Sequence, residues 1–346
     1  MKINHLDLFS GIGGFHLGFE KAGFEVSSYF SEIDKYAIDV YKNNFKNSKY
    51  VGSVSDVQAT DLPKIDAITF GSPCQDFSLA GRRKGLGGVR SSLIAEAIRL
   101  INECKPRFFI WENVKGTFSS NNGADFWAII QAFTNIGGYR LEWQLLNTKW
   151  FLPQNRERIY LVGYLGDRSK GQVFPIKEAY DNPFKKVRNK TRKSTSEQNT
   201  HSRTISSRIH KMGNDDTYIQ VNSATKKGYE VAKKGDSINY SNPKSETRRG
   251  RVGKGVAQTL DTACNQAVIK NVTNNKVTNN CITEAIGLIR RLTPIECERL
   301  QGFPDNWTKY GTQGEISDTQ RYKMCGNAVT VDVVEAVVKN IINIIK

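Results

Sequence analysis

One cysteine stands where a chain of this pattern could do chemistry. In Phe70–Ser78 (FGSPCQDFS), the preceding apolar run Ala67-Ile68-Thr69-Phe70 reads as a buried strand. Gly71-Ser72-Pro73 ends that strand and turns the chain, which leaves Cys74 at the hand-over from strand to loop. Open α/β sheets bind ligands in the crevice beyond such carboxyl ends. A thiolate there is a strong nucleophile near neutral pH. The alternative is a small buried hydrophobe, so the reading of Cys74 turns on partners elsewhere in the chain.

Candidate partners sit at other strand ends. In Arg107–Val114 (RFFIWENV) the apolar run closes on Glu112, which the pattern sets at the same rim as Cys74, as a surface boundary or a site. Arg156 and Arg158, in LPQNRER, precede a strand IYLVGY. Spaced by two, they lie on one side of an extended chain, either facing one anion or with one of them in a structural bridge. Near the N-terminus, a strand over residues 3–9 leads into SGIGGF and a helix from His16 to Ala22. Strand, glycine turn and helix present backbone N–H groups to a ligand. The GxGxxG dinucleotide spacing is not met, so no phosphate cradle is required. Glu32 ends a second strand (24–31), where an acid can accept from ribose hydroxyls. The glycine- and arginine-rich loop 75–90 reads as a mobile lid whose Arg82, Arg83, Lys84 and Arg90 could meet phosphates.

The elements that must position these groups alternate. Further helices are predicted over residues 35–45, 91–104 and 125–136, with strands over 66–72, 107–114, 140–148 and 159–164 and a short strand-to-loop step at 52–56. Alternation of strand and helix implies an α/β class with a doubly wound, mostly parallel sheet. From residue 178 to 285 the composition turns polar and basic, with short strand-like pieces such as DTYIQV and VAQTLDTA. This predicts a second, smaller, irregular β-rich domain. Thr293 as N-cap and Pro294 at the first helical position open a later helix. Residues 326–345 read as a small-residue turn into an apolar helix that needs the first domain as its core. The expected division is 1–177, 178–317 and a returning segment 318–346.

With 346 residues, 38% of them hydrophobic, the chain can bury a sizeable core. Its formal charge is +16. Between Lys185 and Lys254, 18 Lys and Arg face 6 Asp and Glu, a net +12 in one fifth of the chain. Either this is a solvated insertion or it meets nucleic acid or another anionic surface; without a membrane-surface helix, a polyphosphate is the better partner. No apolar run reaches membrane-spanning length, and no signal peptide opens the chain. The six cysteines show no CxxC pair and no zinc spacing, which suggests a reduced, cytoplasmic protein without a structural metal.

Taken in order, DLFSGIGGF, SEID, GSPCQDFS, WENV, QNRERIYLVG, RRLTPIECERLQGFPDNW and GNAV resemble the motifs of the DNA (cytosine-5)-methyltransferases of bacteria and their phages. The resemblance spans both ends of the chain and leaves the basic segment as the family's variable target-recognition region. It implies a Rossmann-like methyltransferase domain, S-adenosylmethionine as methyl donor, no metal, and double-stranded DNA as substrate. It also implies a flipped-out target base and action as a monomer, with a cognate restriction endonuclease, if present, acting separately. By resemblance, Cys74 is the nucleophile, Glu112 the group at ring nitrogen 3, and Arg158 with its companion Arg156 the contacts to the base. Phe9, Gly11, Ile12, Gly14, Glu32, Ile33, Ser53, Val54, Pro73, Asn327 and Ala328 match the cofactor pocket. Gly52-Ser53-Val54 stands where the family often has Gly-Asp-Ile, so Ser53 or Asp56 takes the adenine edge. Gln75, Ser78, Arg82, Arg90 and the Thr259-Leu260 pair match positions that meet DNA, although Thr259-Leu260 equally reads as an ordinary strand. One branch of the family modifies tRNA; the large basic segment favours duplex DNA.

Overall fold

The computed structural model describes residues 1–72, 93–165, 171–178, 218–241, 250–269 and 289–345. Its first half supplies strands β1 (Lys2–Leu8), β2 (Glu25–Ser31), β3 (Lys49–Tyr50), β4 (Ala67–Gly71), β5 (Phe108–Val114), β6 (Arg140–Asn147), β7 (Gln154–Asn155) and β8 (Glu157–Tyr164). One sheet takes seven of these in the order β3-β2-β1-β4-β5-β8-β6, and β7 stands apart from it. The strands from β3 to β5 run parallel, while β8 lies antiparallel between β5 and β6. The side chains of Phe108, Phe109, Ile110 and Trp111 are wholly buried, as a strand covered on both faces requires. Strand order reverses between β1 and β4, which opens a crevice beyond their carboxyl ends. The third strand differs from expectation: it is Lys49–Tyr50, and residues 52–56 form the turn after it.

Helices cover both faces. On one side α1 (Gly14–Lys21) packs against the apolar C-terminal helix, so that Phe15 and Phe19 share a cluster with Val333, Val337, Val338 and Ile341. On the other side a second cluster joins Leu6, Ile68, Phe70 and Trp111 to Ile94, Ala97, Leu100, Ile129 and Phe133. Its helical members come from Leu93–Cys104 and Ala124–Asn135. With α2 (Lys35–Asn44) preceding them in sequence, these are α3 and α4. Asp34 caps α2 by accepting from the backbone N–H groups of Tyr36 and Ala37.

The second half is built of short pieces: β9 (Tyr218–Asn222), β10 (Tyr229–Lys233), β11 (Ser237–Asn239), β12 (Val252–Gly253), β13 (Ala257–Gln258), β14 (Gln266–Ile269) and β15 (Ile289–Arg291). A hairpin joins β9 to β10, and β12-β11-β14-β15 form a small sheet. Its core is modest: Val221, Ala232, Ile238, Val252 and Ile269. Then come α5 (Pro294–Leu300), α6 (Asp318–Asn327) and α7 (Val331–Ile345). Thr293 and Glu296 form a capping box on α5, with Pro294 in its first turn. The chain rejoins the first sheet earlier than residue 318. Phe303 and Ile316 pack with Ile12, Leu17, Phe30 and Tyr41. The Trp307 indole also donates to the Ile12 carbonyl at 3.0 Å. Among the described residues, no helix is long and apolar enough to cross a membrane.

The α1–α7 contact depends on Gly18, where an added Cβ would lie 2.4 Å from Val334 Cγ1. Gly18→Ala is expected to destabilise the fold by about 1–3 kcal/mol through overpacking. A thermal melt measures this, and an unchanged Tm would show that the two helices can part freely.

Candidate active site

The turn after β1 is shaped by glycines for separate reasons. Gly11 has φ +53° and open space where a Cβ would point, whereas a Cβ on Gly13 (φ +84°) would meet the Phe45 ring at 2.3 Å. Gly14 lies against Val329, 2.6 Å from its Cγ2 to the added Cβ. The turn is tied to the end of β2 by a hydrogen bond from Ser10 N–H to the Ser31 carbonyl. Glu32 closes the same corner. One carboxylate oxygen accepts from Gly11 N–H at 2.8 Å, and the other accepts from the N–H groups of Ile33 and Asp34. Beside it Ile33 is 80% exposed, an apolar side chain turned to solvent at the crevice. Among the described residues the buried Ser10 hydroxyl has no hydrogen-bond partner.

Other residues matched to this pocket are spread around it. Phe9 is half-buried against the second core cluster and has a left-handed backbone, φ 52°. Ile12 and Ala328 are buried in the cluster of Phe303 and Met324, whereas Asn327 is exposed. Val54 is buried with Ile65 and Ile68, so its side chain belongs to the core. The Ser53 carbonyl accepts from Asp56 N–H, which places both candidates for the adenine edge in one turn.

A few residues along the rim lie Glu112 and Arg158. Gly71 is the register partner of Glu112 across β4 and β5, and a Cβ on Gly71 would sit 3.2 Å from a Glu112 carboxylate oxygen. Across β5 and β8, Tyr160 stands opposite Glu112 and Arg158 opposite Val114. Glu112 and Arg158 are thus diagonal neighbours on one face, within reach of a long side chain. Arg158 Nε lies 3.1 Å from Glu112 Oε1, with both side chains mostly buried. Burial and the adjoining Glu112 charge push the Tyr160 phenol up, so it stays a neutral phenol beside the pair.

Ser72, the last described residue before Cys74, is held from β5. Its hydroxyl accepts from the Trp111 indole at 3.1 Å, and its carbonyl accepts from the Asn113 amide at 3.1 Å. The strand exit is therefore fixed two residues ahead of Cys74. Pro73, Cys74, Gln75, Ser78, Arg82 and Arg90, with the loop 75–90, lie outside the described residues.

Two readings that the sequence left open meet the geometry here. Arg156 and Arg158 do not face one anion, because the chain breaks between β7 and β8 at Arg156. That side chain is buried and donates to the Ala328 carbonyl at 2.9 Å and the Gly326 carbonyl at 3.4 Å. It braces the turn that carries Asn327 and Ala328. Leu260 is 3% exposed in an apolar cluster with Leu292, Leu300 and Tyr322, so its side chain packs as core. Only Ala257–Gln258 of VAQTLDTA is strand. Thr259 instead reaches the rim, where its hydroxyl donates to the Asn155 carbonyl at 2.8 Å. A cleft of about 300 Å³ opens there, lined by Val114, Lys115, Gly116, Asn155, Glu157, Arg158, Gln258 and Thr259.

Sequence reasoning passed over Ser10, Ser72, Asn113 and the pair Asp7 and Thr69. The last two are register partners on β1 and β4, and Thr69 donates to Asp7 at 2.9 Å. Thr69 also bonds His5 at 2.7 Å, and Tyr41 bonds Ser28 at 2.7 Å behind Asp7. Burial raises the Asp7 carboxyl well above its usual range. A polar residue amid an apolar strand was the available signal for both. Together they lock the two strands whose ends form the crevice.

The model of a family described as C-5 cytosine-specific DNA methylase matches residues 3–343. M.Bsp6I, a type II methyltransferase of Bacillus sp. (strain RFL6), is 31% identical over 353 residues, covering 96% of each chain. M.NlaX of Neisseria lactamica, also a type II methyltransferase, is 33% identical over 347 residues, covering 96% of this chain and 94% of its own. The orphan methyltransferase M.SPRI of Bacillus phage SPR is 28% identical over 435 residues, covering 99% of this chain and 98% of its own. Among solved structures, the Entamoeba histolytica methyltransferase EhMeth superposes with a TM-score of 0.61 at 18% identity, covering 100% of this chain and 99% of its own. At that identity the likeness concerns the fold.

Proposed function

Because the chain belongs to the C-5 cytosine-specific DNA methylase family, we propose that the rim around Glu112 and Arg158 takes a cytosine flipped out of duplex DNA and methylates its carbon 5 at one short sequence. The chain is a DNA cytosine C-5 methyltransferase dependent on S-adenosylmethionine. The observation that carries the site reading is the Glu112–Arg158 ion pair, set over Gly71-Ser72 where β4 leads directly into Pro73-Cys74.

Cytosine carbon 5 is a weak nucleophile. Addition of the Cys74 thiolate to carbon 6 forms a carbon–sulfur bond and makes carbon 5 enamine-like. Glu112 gives a proton or a strong hydrogen bond to ring nitrogen 3 as that electron pair moves, and Arg158 holds the base carbonyl and the Glu112 carboxyl together. Carbon 5 then accepts the methyl group. Loss of its proton restores the ring double bond and expels Cys74.

The corner after β1 fits the methyl donor. The Glu32 oxygen that meets Gly11 keeps a lone pair for a ribose hydroxyl, Ile33 offers an exposed apolar face, and the Ser10 hydroxyl, without a partner among the described residues, and the open space at Gly11 leave room for a polar tail. When bound there, S-adenosylmethionine supplies an electrophilic sulfonium methyl. The base lies buried in duplex DNA and must be turned out to reach this rim. The basic segment and Arg82 and Arg90 hold phosphates. The enzyme acts as a monomer in the cytoplasm, in restriction-modification or phage self-protection, with any cognate endonuclease a separate protein.

Unmethylated plasmid incubated with enzyme and S-adenosylmethionine, then read by bisulfite sequencing, tests this. Protected cytosine at one short recurring site is expected, and Cys74→Ser should abolish it. No protected cytosine, with S-adenosylhomocysteine binding intact, would overturn the assignment to DNA and move the search to tRNA.

A further inference from the structure

The cleft beside Arg158 has walls from two parts of the chain. Gln258 and Thr259 belong to the second, β-rich half, yet they line the same space as Arg158 and Glu157. A parallel ladder of two residues joins them to the first half: Ala257 pairs with Gln154 and Gln258 with Asn155. Ala257 N–H donates to the Pro153 carbonyl at 2.8 Å. So short a ladder is weak alone, and one side chain reinforces it.

Gln154 is wholly buried. Its Oε1 accepts from Leu260 N–H at 3.1 Å, and its Nε2 donates to the Leu300 carbonyl at 2.7 Å. Next to it the buried Gln301 donates to the Cys325 carbonyl at 2.8 Å and accepts from the Thr330 hydroxyl at 3.0 Å. Backbone packs on backbone at the same seam, since a Cβ on Gly326 would lie 2.6 Å from the Asp261 carbonyl carbon. Gln154 thus ties the turn that follows β13 to the end of α5, and Gln301 ties that end to α6 and the turn after it. Leu or Met would fill the volume but strand a buried N–H and a buried carbonyl. Glu would keep the acceptor toward Leu260 and set an anion against the Leu300 carbonyl. Gln meets both demands without charge.

We infer that Gln154 is a positioning residue for sequence choice: it sets where Gln258 and Thr259 stand in the target-base cleft, and hence which DNA site is methylated. This rests on the reading of that cleft as the base pocket.

The test uses the full chain with Gln154→Glu and, as a milder second variant, Thr259→Val, which removes the hydroxyl that bonds Asn155. Each is assayed for S-adenosylhomocysteine affinity, for kcat and KM on cognate duplex, and for bisulfite-read methylation at sites differing by one base pair. Unchanged S-adenosylhomocysteine affinity is expected. Cognate kcat/KM should fall about tenfold or more, as expected when buried backbone partners are left unpaired. The share of methylation at near-cognate sites should rise. Thr259→Val should shift the same way by less, which keeps the inference testable if Gln154→Glu does not fold. Loss of S-adenosylhomocysteine affinity together with a uniform fall at all sites would reduce Gln154 to a structural residue and overturn the inference. So would active variants with unchanged site choice. Full activity in Glu112→Gln would instead sink the base-pocket reading, so the two failures are distinguishable.

Discussion

Glu112→Gln is expected to lower kcat on DNA by about 10²- to 10⁴-fold, the range lost with a positioned acid or base, while S-adenosylhomocysteine still binds. The substitution keeps the shape of the side chain. The tight approach to Gly71, where an added Cβ would lie 3.2 Å from the carboxylate, is therefore undisturbed. What is lost is a carboxyl that can share a proton with the ring. An amide can donate a hydrogen bond to ring nitrogen 3 but cannot release a proton to it. The Arg158 guanidinium also faces a neutral partner after the change, which weakens its hold on the pair. Steady-state kinetics on a cognate duplex, with the melt of each protein as control, decide the matter. A kcat within tenfold of the parent would remove Glu112 from the chemistry.

Arg158→Met carries the second large effect, on both folding and activity. Glu112 is 7% exposed and its charged neighbour is Arg158 at 3.1 Å. Removing one partner of a buried pair leaves an uncompensated charge, at about 3–5 kcal/mol of stability. The expected signature is non-additive. Combining Arg158→Met with Glu112→Gln removes the stranded charge, so the double variant should be more stable than Arg158→Met alone, with a coupling of about 0.5–3 kcal/mol. Denaturant melts of the four proteins give the cycle directly. A double variant as unstable as the sum of the two singles would mean that the pair contributes nothing to the fold. Either way the Arg158 variants should be inactive on DNA, because the base contact is gone.

The parts of this architecture that sequence reasoning reached are those written locally. The strands β4 and β5 are apolar runs with buried side chains, and the charged residue closing the run of β5 marked Glu112. Thr293, Pro294 and Glu296 announced the start of α5 through local capping chemistry. The parts it missed are set by distant partners. That β8 inserts between β5 and β6 is a choice of neighbours, invisible to periodicity. The spacing of Arg156 and Arg158 would put them on one side of an unbroken strand. The chain instead breaks there, and Arg156 finds backbone carbonyls 170 and 172 residues further along. Ser72 is held by Trp111 and Asn113 only because β4 and β5 meet in that register. Leu260 reads as half of a recognition pair, but its neighbours Leu292 and Leu300 make it core. Phe303 to Ile316 read as part of the inserted region, yet their apolar faces fit the surface made by α1 and α2.

The helix α7 has a consequence for how the enzyme is made. Its Val333, Val334, Val337, Val338 and Ile341 complete the same cluster as Ile3, Phe15, Phe19 and Phe24. Synthesis is vectorial, so the first strand and helix leave the ribosome some three hundred residues ahead of the helix that covers them. Until α7 arrives, α1 and its face of the sheet lack part of their apolar cover, and contacts of such long range close slowly. The nascent chain therefore carries an apolar flank open to chaperones and to other chains until α7 is made. The turn with Asn327 and Ala328, on which Arg156 closes, also emerges in the last stretch. A chain that stops before α6 and α7 lacks both the apolar partner of α1 and the turn on which Arg156 closes.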